Sequence, residues 1–230
     1  MIKYILAALA VMIATNAQAD CRHNIAGTTY GWSSCDYKVV HGSHELRLVQ
    51  DMSDNTYHIE VNSRITPGLV DQIERYLRDA GEYMSEAHSY AIKVYLNSPG
   101  GDAYAGVRLA RLFAGRNGST EENPQRWSVA AIVTGAQMCA SACAVAFTTA
   151  KFRGIFHDGA VMYHAPYIKS QYGVKKCDVD PNSKINMAIK EVYSLRWIEE
   201  KVNKLFQETN KCRVGRNLVT YEKGSWITSK

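Results

Sequence analysis

Residues 91–102 read A-I-K-V-Y-L-N-S-P-G-G-D, and this run decides the fold class. Ala91 to Leu96 alternates apolar and polar side chains with the two-residue period of a strand. Asn97-Ser98-Pro99-Gly100-Gly101-Asp102 ends that period with turn formers. Val107, Ala110, Leu112, Phe113 and Ala114 then recur as the buried side of a helix. A strand that enters a helix through a glycine turn is a building unit of an α/β domain.

The same alternation continues on both sides. Upstream, Glu45 to Val49 and Tyr57 to Val61 read as strands, with a hairpin turn at Asp54-Asn55. Thr66 before Pro67 places a capping hydroxyl ahead of a proline at the first helical position. Leu69, Val70, Ile73, Tyr76, Leu77, Ala80 and Met84 follow at helical spacing. Downstream, a polar loop from Arg116 to Arg126 leads to a buried strand, Ser128 to Thr134. Gly135 to Cys139 turns into a helix of small residues, Ala140 to Thr149, and Ala160 to His164 forms another strand. A long helix is predicted from about Asn182 to Thr209, capped by Pro181-Asn182-Ser183 and turning Ile185, Ala188, Ile189, Val192, Leu195, Ile198, Val202 and Leu205 inward. This order predicts an α/β domain of β-β-α or βαβ units.

A chain of 230 residues with 46% apolar and 21% charged side chains fits one globular domain with at most an appendage, and excludes disordered and collagen-like classes. The net charge of +5 falls short of a nucleic-acid footprint. The excess is local: Lys201, Lys204, Lys211, Arg213, Arg216, Lys223 and Lys230 face only Glu208 and Glu222, which reads as a solvated tail face or as a surface for an acidic partner. Mean hydropathy is −0.26, and the only long apolar run is N-terminal, so no membrane span is expected in the mature chain.

That N-terminal run reads as a secretion signal. Lys3 is followed by apolar residues from Ile5 to Ala14, and Ala17-Gln18-Ala19 supplies a cleavage site. Residues 1–19 are therefore expected to be removed after Ala19, which sends the mature chain to the periplasm or outside the cell. Six cysteines then read as disulfides. Six cysteines allow 15 connectivities, which sequence alone does not choose between: Cys21 with Cys35 would close a short loop, Cys139 with Cys143 can meet across one helical turn, and Cys177 with Cys212 can pair if the loops flanking the long helix fold back. With no C-x2-C knuckle, neither a metal nor a cofactor is expected.

Three strand ends carry residues that packing alone does not require: Ser98-Pro99-Gly100-Gly101, Cys139-Ala140-Ser141-Ala142-Cys143, and Met162-Tyr163-His164-Ala165-Pro166. Adjacent glycines let backbone N–H groups approach a ligand. Ser141 at a strand-to-helix turn is either a helix cap or a hydroxyl presented where the helix dipole stabilises negative charge. His164 alone would pass for a core histidine. Together the three supply a nucleophile, a base and oxyanion donors, the minimum for acyl transfer.

Over about Thr56 to Lys230 these motifs resemble the proteolytic subunit of the Clp protease and its relatives in the ClpP/crotonase superfamily. N-S-P-G-G-D follows a strand, a serine sits in A-S-A at a helix start, and M-x-H-x-P lies on the next strand, 23 residues after the serine. The resemblance implies an α/β ClpP/crotonase-like fold of repeated β-β-α units with a long C-terminal helix. Residues 56–230 form that domain, and residues 20–55 form a β-rich, cysteine-containing extension before it. It further implies a serine-type endopeptidase acting on a peptide or protein substrate. Ser141 would be the nucleophile and His164 the general base, with Gly100 or Gly101 and Ala142 in the oxyanion hole. The nearest subset is of secreted or periplasmic proteins with the serine in C-x-S-A-C.

Three features depart from that pattern. The loop after the second helix lengthens the interval to Ser141. Gly224 stands where the third, acidic member is expected, and Glu222 is the nearest substitute, ahead of Asp178 and Asp180. The chain ends before the subunit's final helical element, so the cytosolic ring is not carried over, while a homo-oligomer stays open. Alternative readings are a catalytically silent peptide-binding module, a Ser-Lys dyad using Lys151 or Lys169, and a crotonase-type acyl-CoA enzyme. Export and the Ser-His pair argue against the last.

Overall fold

The computed structural model describes residues 37–84, 91–115, 128–156, 159–169, 175–178, 180–194, 217–220 and 226–228. In chain order the elements are β1 (Tyr37–Gly42), β2 (Leu46–Asp51), β3 (Thr56–Val61), α1 (Pro67–Tyr83), β4 (Ala91–Leu96), α2 (Ala103–Phe113), β5 (Ser128–Thr134) and β6 (Met138–Ala140). They continue with α3 (Ala142–Thr149), β7 (Phe152–Phe156), β8 (Ala160–Tyr163), β9 (Tyr167–Lys169), β10 (Lys175–Cys177), α4 (Lys184–Ser194), β11 (Asn217–Thr220) and β12 (Trp226–Thr228).

A seven-stranded sheet runs β1-β2-β3-β4-β5-β7-β12, parallel from β3 to β7 and antiparallel at both ends. Strand alternation puts Leu46, Leu48, Ile59, Val61, Ile92, Val94, Leu96, Val129, Ala131 and Val133 in the core. Leu69, Val70, Ile73 and Leu77 of α1 and Leu109, Leu112 and Phe113 of α2 close that core from the other side. Each such side chain stabilises the fold by about 1.5–3 kcal/mol. Because β1 and β2 pair into this sheet, residues 37–51 share a layer with the elements that follow residue 55.

Thr66 caps α1 as expected, its hydroxyl accepting from Leu69 N–H at 3.2 Å, with Pro67 opening the helix. Asp102 does the same for α2, accepting from Ala105 N–H at 2.7 Å. Ser183 accepts from Asn186 N–H at 3.3 Å ahead of α4. Of the long helix expected to Thr209, Lys184–Ser194 is described, with Ile185 and Val192 buried; positions 195–209 lie outside the described residues. Among the described residues no helix is long and apolar enough to cross a membrane.

The other face of the sheet holds an ionic trio. Glu60, fully buried on β3, pairs with Arg47 at 2.5 Å across the β2–β3 register and lies 3.4 Å from His58. Burial would raise the Glu60 carboxyl, but the His58 hydrogen bond and the Arg47 charge outweigh it and hold the group below its ordinary value.

A three-stranded sheet, β11-β8-β6, forms the second layer. It is stitched to the first by a bridge between Ser98 and Cys139. The expected helix over Ala140–Thr149 begins at Ala142 instead, because Met138–Ala140 pairs in parallel with β8 and Ser141 has a positive φ that no helix accommodates. The strand expected over Ala160–His164 ends at Tyr163.

Candidate active site

The site is assembled by main-chain hydrogen bonds at one end of the β6–β8 pair. Ser98 N–H donates to Met138 C=O at 2.7 Å, and Ala140 N–H returns a bond to Ser98 C=O at 2.9 Å. Ser141 N–H donates to Met162 C=O at 2.9 Å, which brings the serine alongside the end of β8. On the far side of the glycine turn, Ile65 N–H donates to Gly100 C=O at 3.0 Å and Asp102 N–H to Ile65 C=O at 2.9 Å. The Gly-Gly turn, Ser141 and the end of β8 that leads into His164 are thus tied to one another.

Ser141 has φ 55° and ψ −119°. Serine rarely adopts such a backbone, at a cost of about 1–3 kcal/mol where it is held. It precedes α3 but makes no side-chain cap bond, unlike Thr66 and Asp102, which are extended and cap their own helices. Forgoing that cap costs about a further 1 kcal/mol. Its hydroxyl is therefore not engaged by the helix it precedes.

Gly100, at φ 88°, supplies the space beside the serine. A Cβ placed there would lie 2.6 Å from Ala140 C=O and 2.7 Å from Ser141 Cβ. The two glycines differ as hydrogen-bond donors. Gly100 N–H is engaged by Ser98 Oγ at 3.1 Å, whereas Gly101 N–H has no acceptor among the described residues. Ala142 N–H is likewise unclaimed there, since the first helical bond of α3 runs from Val145 N–H to Ser141 C=O at 3.1 Å.

His164 follows β8 and is half-buried. Its Nδ1 is 2.8 Å from the carbonyl of Ala165. A carbonyl only accepts, so in this contact Nδ1 is the donor; in the neutral ring that leaves the lone pair on Nε2, the form a general base requires. The Tyr167 ring lies 5.0 Å from the imidazole, centroid to centroid. Beneath it, Tyr163 is buried against Thr148 at 3.0 Å, and burial pushes its phenol up to about 12. No hydrogen bond joins Ser141 Oγ to the His164 ring in this structure, although the register sets their strands about 4.8 Å apart.

The acid expected at Glu222 lies outside the described residues. Asp178 comes near the histidine segment through its N–H, which donates to Pro166 C=O at 2.7 Å. Its carboxylate instead accepts from Asp180 N–H at 3.2 Å, and that of Asp180 from Asn182 N–H at 2.9 Å. Neither carboxylate pairs with His164. Lys151 follows the opposite end of α3, about 12 Å along the axis from Ser141, with its ammonium over the Phe152 ring. The Lys169 side chain is outside the described residues.

Cys139 on β6 and Cys143 in the first turn of α3 form a disulfide, Cα atoms 5.2 Å apart, with Ser141 midway between them. It links strand to helix, not two positions of one helical turn, because α3 starts at Ala142. Cys177 is also disulfide-bonded; Cys21, Cys35 and Cys212 lie outside the described residues. The signal that sequence reading missed is the histidine's own neighbour. Ala165 contributes only a carbonyl, which no side-chain motif announces.

No protein-family model matches the sequence, and no curated protein matches it. Among solved structures the chain is similar to a serine-to-alanine mutant of the 1510-N membrane-bound stomatin-specific protease, at 17% identity, with 70% of each chain covered and a TM-score of 0.46. It is similar to a lysine-to-alanine mutant of that protease in complex with a substrate peptide, at 18% identity, covering 70% of this chain and 66% of that one, with a TM-score of 0.47. A mutant of ClpP1 from Listeria monocytogenes is a third, at 15% identity, covering 71% and 82%, with a TM-score of 0.37.

Proposed function

We propose that the protein is an exported serine peptidase that hydrolyses peptide bonds through a Ser141–His164 dyad. One observation carries the reading: Ser141 is held at positive φ with its hydroxyl withheld from capping α3, at a turn lined by Gly100. His164 Nε2 takes the hydroxyl proton as Ser141 Oγ attacks the peptide carbonyl. The Ala165 carbonyl fixes the tautomer, a part that a triad acid plays elsewhere. Gly101 and Ala142 N–H groups, the unclaimed pair, receive the oxyanion. His164 then returns the proton to the leaving amine, and water repeats the sequence on the acyl-enzyme.

Export is part of the proposal, with residues 1–19 as a cleaved signal and the Cys139–Cys143 disulfide suited to an oxidising compartment. A homo-oligomer is compatible with it. Wild-type protein should react with a fluorophosphonate probe and hydrolyse a peptide library, and Ser141→Ala should abolish both. His164→Ala should slow hydrolysis about 10²–10⁴-fold, while Glu222→Gln leaves the rate unchanged. A large loss in Glu222→Gln would replace the dyad by a triad.

The second reading, a catalytically silent peptide-binding module, is favoured by the missing Ser141–His164 hydrogen bond. A wild-type protein that binds peptides but does not react with the probe would establish it.

A further inference from the structure

We propose that the Cys139–Cys143 disulfide is a positioning element for Ser141: it prevents the serine from capping its own helix and so keeps the hydroxyl available for attack. The proposal rests on the reading of Ser141 as nucleophile. Serine before a helix has a strong local alternative, an extended backbone whose hydroxyl accepts from the third helical N–H. Thr66 and Asp102 take that alternative in this chain, with φ of −127° and −69°. Ser141 does not, although N–H groups of Ala142, Cys143 and Ala144 all precede the first bond of α3. The capped state would occupy Oγ with Ala144 N–H.

The ring closed by the disulfide opposes that state geometrically. Two extended residues advance a chain about 6.6 Å, so a helix entered straight on from β6 would separate the Cα atoms of residues 139 and 143 beyond the roughly 6.8 Å a disulfide spans. A positive φ at the midpoint turns the chain back and brings them to 5.2 Å. The other restraints on Ser141 are the hydrogen bonds from its N–H to Met162 C=O and from Val145 N–H to its own C=O, and the Gly100 backbone beside its Cβ. None is covalent. Both cysteines are fully buried, so the restraint is built into the folded protein and closed to a bulky reductant.

The test compares wild type with Cys139→Ala/Cys143→Ala and with the space-filling pair Cys139→Val/Cys143→Ala. Fluorophosphonate inactivation rate, kcat and KM for one peptide, thermal melting and amide exchange at Ala144 are measured. The expected result is a protein that still melts cooperatively, with probe reactivity and kcat down at least tenfold, KM within twofold, and Ala144 N–H exchanging more slowly because Ser141 now caps it. Unchanged reactivity in either cooperatively melting variant overturns the positioning role while the nucleophile assignment stands. If neither variant melts cooperatively, the disulfide serves folding and the proposal is overturned. An unreactive wild type removes the nucleophile reading and this proposal with it.

Discussion

Gly100 and Gly68 show what one hydrogen-to-methyl change can mean in this chain. At Gly100, φ is 88° and an added Cβ meets Ala140 C=O and Ser141 Cβ below 3 Å, so backbone has to move. At Gly68, near the start of α1, nothing lies within 4 Å. Gly100→Ala should therefore destabilise the protein by about 1–3 kcal/mol and reduce probe reactivity at Ser141 at least tenfold. Gly68→Ala should be neutral or stabilise by up to about 1 kcal/mol with reactivity intact. Paired denaturation curves and labelling rates check both. The order and spacing of the glycines, Ser141 and His164 are legible in the sequence, since both are properties of the chain. Which glycine N–H is free is not legible there, because that depends on the Ser98 hydroxyl reaching Gly100.

Among the elements, α3 has the most unusual burial: all eight residues are buried, so it presents no polar face to guide a periodicity argument. It starts at Ala142, two residues after the start expected from sequence, because Met138–Ala140 pairs with β8. β7 was illegible for a related reason. Phe152–Phe156 places Arg153 in the core, a residue that pattern reading assigns to solvent, yet its guanidinium donates to Thr148 C=O at 2.6 Å and closes the C-terminal end of α3. β1, by contrast, is an edge strand with mostly exposed side chains and carries little apolar alternation. The approach of α2 to α3 is set by Gly106, where a Cβ would come 2.7 Å from Ala142 Cβ. Gly106→Ala should push the first turn of α3 outward and displace the Ala142 N–H. With Ala142 N–H as the proposed oxyanion donor, the expected outcome is kcat lowered about tenfold or more, since a single such donor is worth roughly 10²–10³, with KM little changed in steady-state kinetics.

For the molecule as a whole, the large sheet is buried on both faces near β3, one face by hydrocarbon and the other around Glu60, Arg47 and His58. The strands Tyr57 to Val61, Ala91 to Leu96 and Ser128 to Thr134, the helical spacing of α1 and α2, and the caps at Thr66 and Ser183 are legible because period and caps are local. The ionic trio is not, because its members come from two strands and meet only through register. Its consequence is a pH dependence of stability. Glu60 is held below its ordinary value of 4.5 in the folded state, so its contribution is complete above that value and is lost as pH falls through the depressed folded one. Glu60→Gln should destabilise the protein at neutral pH by about 3 kcal/mol, the low end for breaking a buried pair. It should also flatten the acid limb of a stability-against-pH curve measured by urea unfolding.

The stitches that gather the site run from peptide group to peptide group: Ile65 to Gly100, Asp102 to Ile65, Ser98 to Met138, Ala140 to Ser98 and Ser141 to Met162. Such a frame does not register which side chain each residue carries. Isoleucine, methionine or alanine at these positions contributes the same amide and the same carbonyl, and only proline lacks the donor. Substitutions that keep these peptide groups in place therefore leave the serine at the same spot. What the frame itself demands is small: a few places where there is no room for a methyl group, and the N–H groups that tie them together.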